Sequence, residues 1–206
     1  MTTLALILDY GEVLTRAQPR DLLDRMASLA ELPLDQFLSR YWRHRRAYDA
    51  GLSGVEYWQR ILEGVPGLPA TIITDLIEAD YQSWSDYRPD VWEIAAAFRA
   101  RGGRTAMLSN NVPDMMARMR ARRPLEPWFD VVVASCEVGC CKPDPAIYRI
   151  CVERLAVPAA ETLFVDDRLE NLDAAETIGL RTLHFIGDDS VALLRRTLSL
   201  IGTPDL

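Results

Sequence analysis

The stretch LALILDYGEVL, Leu4–Leu14, runs five apolar residues into a carboxylate at Asp9, with a glycine at position 11 and a second apolar pair beyond it. A short apolar run of this kind reads as a buried strand, and the aspartate then stands at the strand's carboxyl end. Three more runs have the same character: Thr105–Leu108, Val131–Ala134 and Leu163–Val165, with Leu180–Phe185 as a fifth. Between the later strands lie helical patterns at Val91–Arg101, Pro113–Arg122, Pro145–Leu155 and Leu169–Ile178. Strands alternating with helices of that length predict an α/β fold, a doubly wound parallel sheet covered on both faces.

The interval from Arg16 to Tyr87 breaks the alternation and reads as three or four amphipathic helices inserted after the first strand. The expected division is a core of residues 1–15 and 88–206 and a helical insertion of residues 16–87. One inserted helix, Leu34–Ala50, carries Phe37, Tyr41, His44 and Tyr48 along one side and Arg40, Arg43 and Arg46 on another. Pro33 and Gly51 are suitable boundaries for it.

Composition narrows the functions. The 206 residues are 49% hydrophobic and 26% charged, as in a folded globular protein, and the formal net charge of −7 opposes nucleic acid or an anionic membrane as partner. No apolar run approaches the ~18 residues of a membrane span, and no basic leader precedes Asp9, so a cytoplasmic location is expected. Cys136, Cys140, Cys141 and Cys151 form no C-x-x-C pair, and with two histidines in the chain a zinc cage is not indicated. They read as small buried hydrophobes, Cys141 beside Lys142 being the one with chemistry nearby.

In a parallel sheet, ligands gather at the carboxyl ends of the strands. The residues there are Asp9 after the first strand, Ser109, Asn110 and Asn111 of MLSNN after the second, and Asp166 and Asp167 of LFVDDRLEN after the fourth. Beyond the third, EVGCCKPDPAIY places Lys142 ahead of a helix that Pro143 and Pro145 help to start. Each element alone has a structural reading as a turn or a cap. Together they supply three carboxylates, one lysine and one hydroxyl. Converging carboxylates repel one another unless a cation sits among them, and hard oxygen ligands suit Mg²⁺. Lys142 and Ser109 could then hold phosphoryl oxygens.

This order of motifs resembles the haloacid dehalogenase superfamily. GCCKPDPAIY and VDDRLENLDAAETIGL look like its small-phosphatase branch, which carries a cap after the first motif. The resemblance implies a Rossmann-like core with the first strand near the sheet centre, and Asp9 as a nucleophile that forms an aspartyl-phosphate. It implies Ser109 and Lys142 as the phosphoryl-binding pair and Asp167 as a direct Mg²⁺ ligand. Asp166 would act through water or as a partner behind it, and the Gly11 carbonyl would supply a further metal oxygen. Asn110 and, from the cap, Arg43, His44 and Arg46 are candidate contacts to a small phosphorylated substrate.

One position departs from the pattern. The family's phosphatases carry a second aspartate two residues after the nucleophile, and here that residue is Gly11. The nearest carboxylate is Glu12, which alternation along an extended chain would aim away from Asp9. Three readings stay open: a Mg²⁺-dependent phosphomonoesterase acting on a metabolite such as a sugar phosphate, a 2-haloacid dehalogenase, and a non-catalytic phosphate-binding or interaction module.

Overall fold

In the computed structural model, which describes residues 4–200, β1 (Ala5–Leu8) lies at the centre of a five-stranded, all-parallel sheet. Its neighbours are β2 (Arg104–Ser109) and β4 (Thr162–Asp166); β3 (Val131–Ala134) and β5 (Arg181–His184) form the edges, giving the order β3-β2-β1-β4-β5. Leu6 stands level with Thr105 on one side and Leu163 on the other. The two residue-periodic faces of β1 explain its unbroken apolar sequence. Leu6 and Leu8 enter one core with Val91, Trp92 and Met115, while Ala5 and Ile7 enter the other with Ile147, Tyr148 and Leu172.

The covering helices follow from the chain order. On the first face pack α5 (Pro89–Ala100), α6 (Pro113–Arg122) and α10 (Asp189–Leu200), and on the second α8 (Pro145–Leu155) and α9 (Leu169–Glu176). A single turn, α7 (Ser135–Val138), follows β3 and ends at Gly139 in a left-handed conformation. Proline opens α5, α6 and α8 at the first turn, where a missing N–H costs no intrahelical bond. The strands occupy the stretches read from the sequence, with no end displaced by more than one residue.

Four helices separate β1 from α5: α1 (Arg20–Leu29), α2 (Leu34–Asp49), α3 (Gly54–Ile61) and α4 (Ile72–Ser83). The chain leaves and rejoins the sheet at one place, where Thr15 and Tyr87 form an antiparallel bridge and Arg88 N donates to the Leu14 carbonyl at 3.0 Å. In α3, Ser53 caps the Glu56 N–H at 3.2 Å. The inward face of α2 is Phe37, Tyr41, Arg45 and Tyr48, so the stripe steps from Tyr41 to Arg45 where the helical pattern had suggested His44. Arg45 is drawn in by carboxylates: Nε lies 3.0 Å from Asp49 Oδ1, and one terminal nitrogen lies 2.5 Å from Tyr41 Oη and 3.5 Å from Asp80 Oδ2. His44 is half-buried at the stripe's edge.

Among the described residues no helix is long and apolar enough to cross a membrane. The stretches 1–3 and 201–206 of the expected core lie outside the described residues.

Candidate active site

The carboxyl ends of β1, β2 and β4 and the loop before α8 bring the four motifs to one place. Asp9 follows β1 directly; its main-chain N–H donates to Val165 O at 3.0 Å, tying it to the neighbouring strand's end. Its Oδ1 accepts from Tyr10 N at 2.7 Å and lies 2.8 Å from Lys142 Nζ. Lys142 Nζ lies 2.6 Å from Asp166 Oδ2 as well, so one buried ammonium bridges two buried carboxylates. The other Asp166 oxygen accepts from Arg168 N and Asn171 Nδ2, both at 2.9 Å. Asp166 is thereby fully engaged in placing Lys142 and opening α9.

Charge in this cluster is unbalanced. Burial, with Asp166 and Asp167 adding repulsion, outweighs the attraction of Lys142 and pushes Asp9 up to about 8. Burial, then Asp166 and Glu12, push Asp167 up to about 6. For Lys142 burial acts to lower the pKa, but Asp166 and Asp9 together prevail and raise it, so the lysine stays charged. Oxygens of Asp9, Asp166 and Asp167 all lie within 4.8 Å of one another, a spacing and a donor set that fit a hard divalent cation.

Above the cluster is a cavity of about 150 Å³. Asp9, Gly11, Glu12, Ser109, Asn110, Lys142, Asp167, Arg168 and Asn171 line it from the sheet side, and Trp42, Arg45, Asp49 and Trp84 from the inserted helices. The expected sheet-side residues are therefore brought together. Asn110 lines the cavity, but its amide is engaged in holding Lys142: Oδ1 accepts from Lys142 N at 2.7 Å and Nδ2 donates to Lys142 O at 2.9 Å. Ser109, at the end of β2, is 3% exposed.

The expected contacts from α2 are corrected. Arg43, His44 and Arg46 do not line the cavity, and Arg43 and Arg46 face solvent; the residues there are Trp42, Arg45 and Asp49. The reason is rotation of α2, whose buried stripe runs through Arg45. A second correction concerns Glu12. The chain is not extended there: Glu12 adopts φ 58°, ψ −7°, a left-handed turn, and so lines the cavity. The cysteines also differ from expectation, since only Cys151 is fully buried. Burial pushes Cys136 up to about 11 and Cys151 up to about 12 and raises Cys140 and Cys141, so none is a reactive thiolate.

Three contributors were not singled out from sequence. Asn171 orients Asp166, Tyr148 Oη donates to the Asn171 carbonyl at 2.9 Å, and His184 Nε2 lies 2.9 Å from the Asp167 carbonyl. Asn171 had a usable signal, an amide five residues after Asp166 on the first turn of a helix. A fourth residue that the sequence did not single out, Trp84, had no such signal, because only the fold brings it to Gly11.

Comparison with known proteins agrees with this geometry. The haloacid dehalogenase-like hydrolase family matches residues 4–179. The chain is 26% identical to phosphatase MT3486 of Mycobacterium tuberculosis over 187 residues, covering 88% of this chain and 86% of that protein. It is 28% identical to (S)-2-haloacid dehalogenase 1 of a Pseudomonas species over 158 residues, 71% of this chain and 69% of the other. It also matches segments of much longer mammalian proteins at 32–35% identity and spans 11–20% of their length. Among solved structures, an enzyme of Bacteroides thetaiotaomicron in complex with magnesium and inorganic phosphate superposes with a TM-score of 0.77 at 20% identity, covering 94% of this chain and all of that one. The family match over most of the chain, together with the strand-end site, places the protein in the haloacid dehalogenase-like hydrolase family.

Proposed function

We propose that the protein is a Mg²⁺-dependent phosphomonoesterase that acts on a small phosphorylated metabolite, such as a sugar phosphate, through an aspartyl-phosphate on Asp9. The observation that carries this reading is the surplus of negative charge at the strand ends: three carboxylates share one lysine, and two of them are held well above the ordinary carboxylate range. Such a cluster suits a cation and an anionic substrate bound together. The kinship with phosphatase MT3486 supports it.

Each residue then has a task. Asp9 attacks phosphorus in line with the leaving oxygen, and Ser109 and Lys142 hold the non-bridging oxygens. Asn110 and Asp166 position Lys142. Asp9, Asp167 and the Gly11 carbonyl would hold the metal, with Asp166 behind them. Bound Mg²⁺ would neutralise the charge that otherwise keeps an anionic Asp9 from an anionic phosphoryl group. Residues 16–87 serve as a cap over a core of 1–15 and 88–206, excluding water from the reaction.

A second reading has its own support. Gly11 offers no acid to the leaving oxygen, and a haloacid dehalogenase is among the relatives. Displacing halide from carbon with an aspartate needs neither that acid nor Mg²⁺, whereas the paired Asp166 and Asp167 favour a metal, which is why the phosphatase is preferred. The deciding experiment is a panel of phosphorylated metabolites assayed with and without Mg²⁺ beside a 2-haloacid control. Phosphate release that chelation abolishes is expected. Metal-independent halide release with no phosphate release from any ester would overturn the assignment.

A further inference from the structure

The cavity has walls of unlike character. On the side of the inserted helices it meets two indoles, Trp42 and Trp84, and a self-neutralised ion pair, Arg45 with Asp49 at 3.0 Å. Among the described residues lining the cavity, each cation already has a carboxylate partner: Arg45 has Asp49, Lys142 has Asp9 and Asp166, and Arg168 has Glu170 at 2.5 Å. Arg168 and Glu170 are mostly in solvent, whereas against the indoles a second anionic group on a substrate would be desolvated beside an arginine already committed to Asp49.

Trp84 is fixed from both ends. Its carbonyl accepts from Tyr10 Oη at 2.8 Å, on the loop that carries the nucleophile, and its indole Nε1 donates to Tyr41 Oη at 3.4 Å. The six-membered part of the indole stands against Gly11: a Cβ at that position would stand 3.3 Å from Cζ3, 3.8 Å from Cη2 and 4.0 Å from Cε3. The ring therefore takes the room that a side chain at residue 11 would need. Trp42, half exposed, packs edge-on against Tyr41 with ring centroids 4.9 Å apart, so both indoles rest on one tyrosine.

We propose that Trp84, with Trp42 beside it, is the specificity-determining residue for the leaving group: it presents an aromatic wall that takes an uncharged group with a flat or apolar face and disfavours one bearing a second anion. This rests on the phosphomonoesterase reading and narrows its substrate class. An indole offers a large rigid contact area at little conformational cost, and burying an apolar face against it is favourable where burying an unpaired carboxylate is not.

The test uses non-hydrolysable ligands in the presence of Mg²⁺, so that it does not depend on turnover. Affinities of inorganic phosphate, phenylphosphonate and phosphonoacetate are measured by calorimetry for the wild type, Trp84→Phe and Trp84→Ala. The wild type is expected to favour phenylphosphonate over phosphonoacetate. Trp84→Ala should lose about 10-fold in phenylphosphonate affinity, equivalent to ~1.4 kcal/mol, while inorganic phosphate changes by about 2-fold or less. Trp84→Phe, which keeps an aromatic face, should stay within about 3-fold of wild type for both. Equal weakening of all three ligands in Trp84→Ala would mean that the ring only supports the fold of the site, and a wild type that prefers phosphonoacetate would refute the proposal directly. A wild type that binds with the expected preference yet hydrolyses no ester would remove the phosphatase reading and leave the aromatic wall standing. A protein that binds none of the three with Mg²⁺ overturns both.

Discussion

Asn110 grips Lys142 by both polar atoms of its backbone, accepting from the lysine N–H at 2.7 Å and donating to its carbonyl at 2.9 Å. The lysine's position over Asp9 is therefore set from β2 as well as from β4, which supplies Asp166. Asn110→Ala should fold but lose about 10- to 100-fold in kcat, as is usual when a partner that orients a site residue is removed. Asn110→Asp should do worse, because it sets an oxygen against the Lys142 carbonyl. Steady-state kinetics beside thermal melts would check this, and an unchanged kcat in both variants would refute the positioning role.

Asp9→Asn should abolish turnover without unfolding the protein. An amide is a far weaker nucleophile, and burial already favours the neutral form of this side chain, pushing it up to about 8. Phosphate release together with circular dichroism reads both halves of the expectation. Retained turnover by a pure, folded variant would displace Asp9 as nucleophile.

Lys142→Met should cost about 3–5 kcal/mol at neutral pH, since it removes the one ammonium that bridges the buried side chains of Asp9 and Asp166. Denaturant unfolding gives the figure. A loss of less than about 1 kcal/mol would show that the bridge contributes little to the fold.

The metal-free protein should lose stability as pH rises. Asp9 and Asp167 sit above their ordinary value near 4, at about 8 and about 6, so between those limits the folded state binds more protons than the unfolded one. Their contribution is complete below about pH 4 and is lost through pH 6 and then pH 8. Mg²⁺ should flatten this slope and raise the melting temperature most at the alkaline end. Melts from pH 5 to 9 with and without Mg²⁺ test it, and parallel curves would argue against a metal at these carboxylates.

Glu12→Gln should change turnover by less than a few-fold while lowering the Asp167 pKa, because Glu12 is one of the charges that raise it. The pH dependence of Mg²⁺ affinity reports the second effect. A fall of ~10²-fold confined to esters with poor leaving groups would instead make Glu12 the acid that Gly11 cannot be.

Much of this site was legible in the residues because strand ends in a parallel sheet are forced together. Once Leu4–Leu8, Thr105–Leu108 and Leu163–Val165 read as strands, Asp9, Ser109 and Asp166 had to meet. What failed depended on local rotation. Arg43, His44 and Arg46 were separated from Arg45 only by where Asp49 and Asp80 stand, and Asp80 is 31 residues beyond Asp49 in the chain. Glu12 was misplaced because the alternation rule assumes an extended chain, and a left-handed residue breaks it. At Gly11 the missing carboxylate was visible in sequence, but the indole that fills its room was not, since Trp84 is brought there by the packing of α4.

The bridge between Thr15 and Tyr87 has an evolutionary consequence. A segment that departs and returns at adjacent points can be exchanged for another without redrawing the sheet, so chemistry and substrate choice can descend along separate lines. The constraint falls on the seam. Tyr10 Oη needs a carbonyl to bond and Gly11 needs a cover, and both come from Trp84, so a borrowed segment would succeed here only if it brought its own substitute for that one residue.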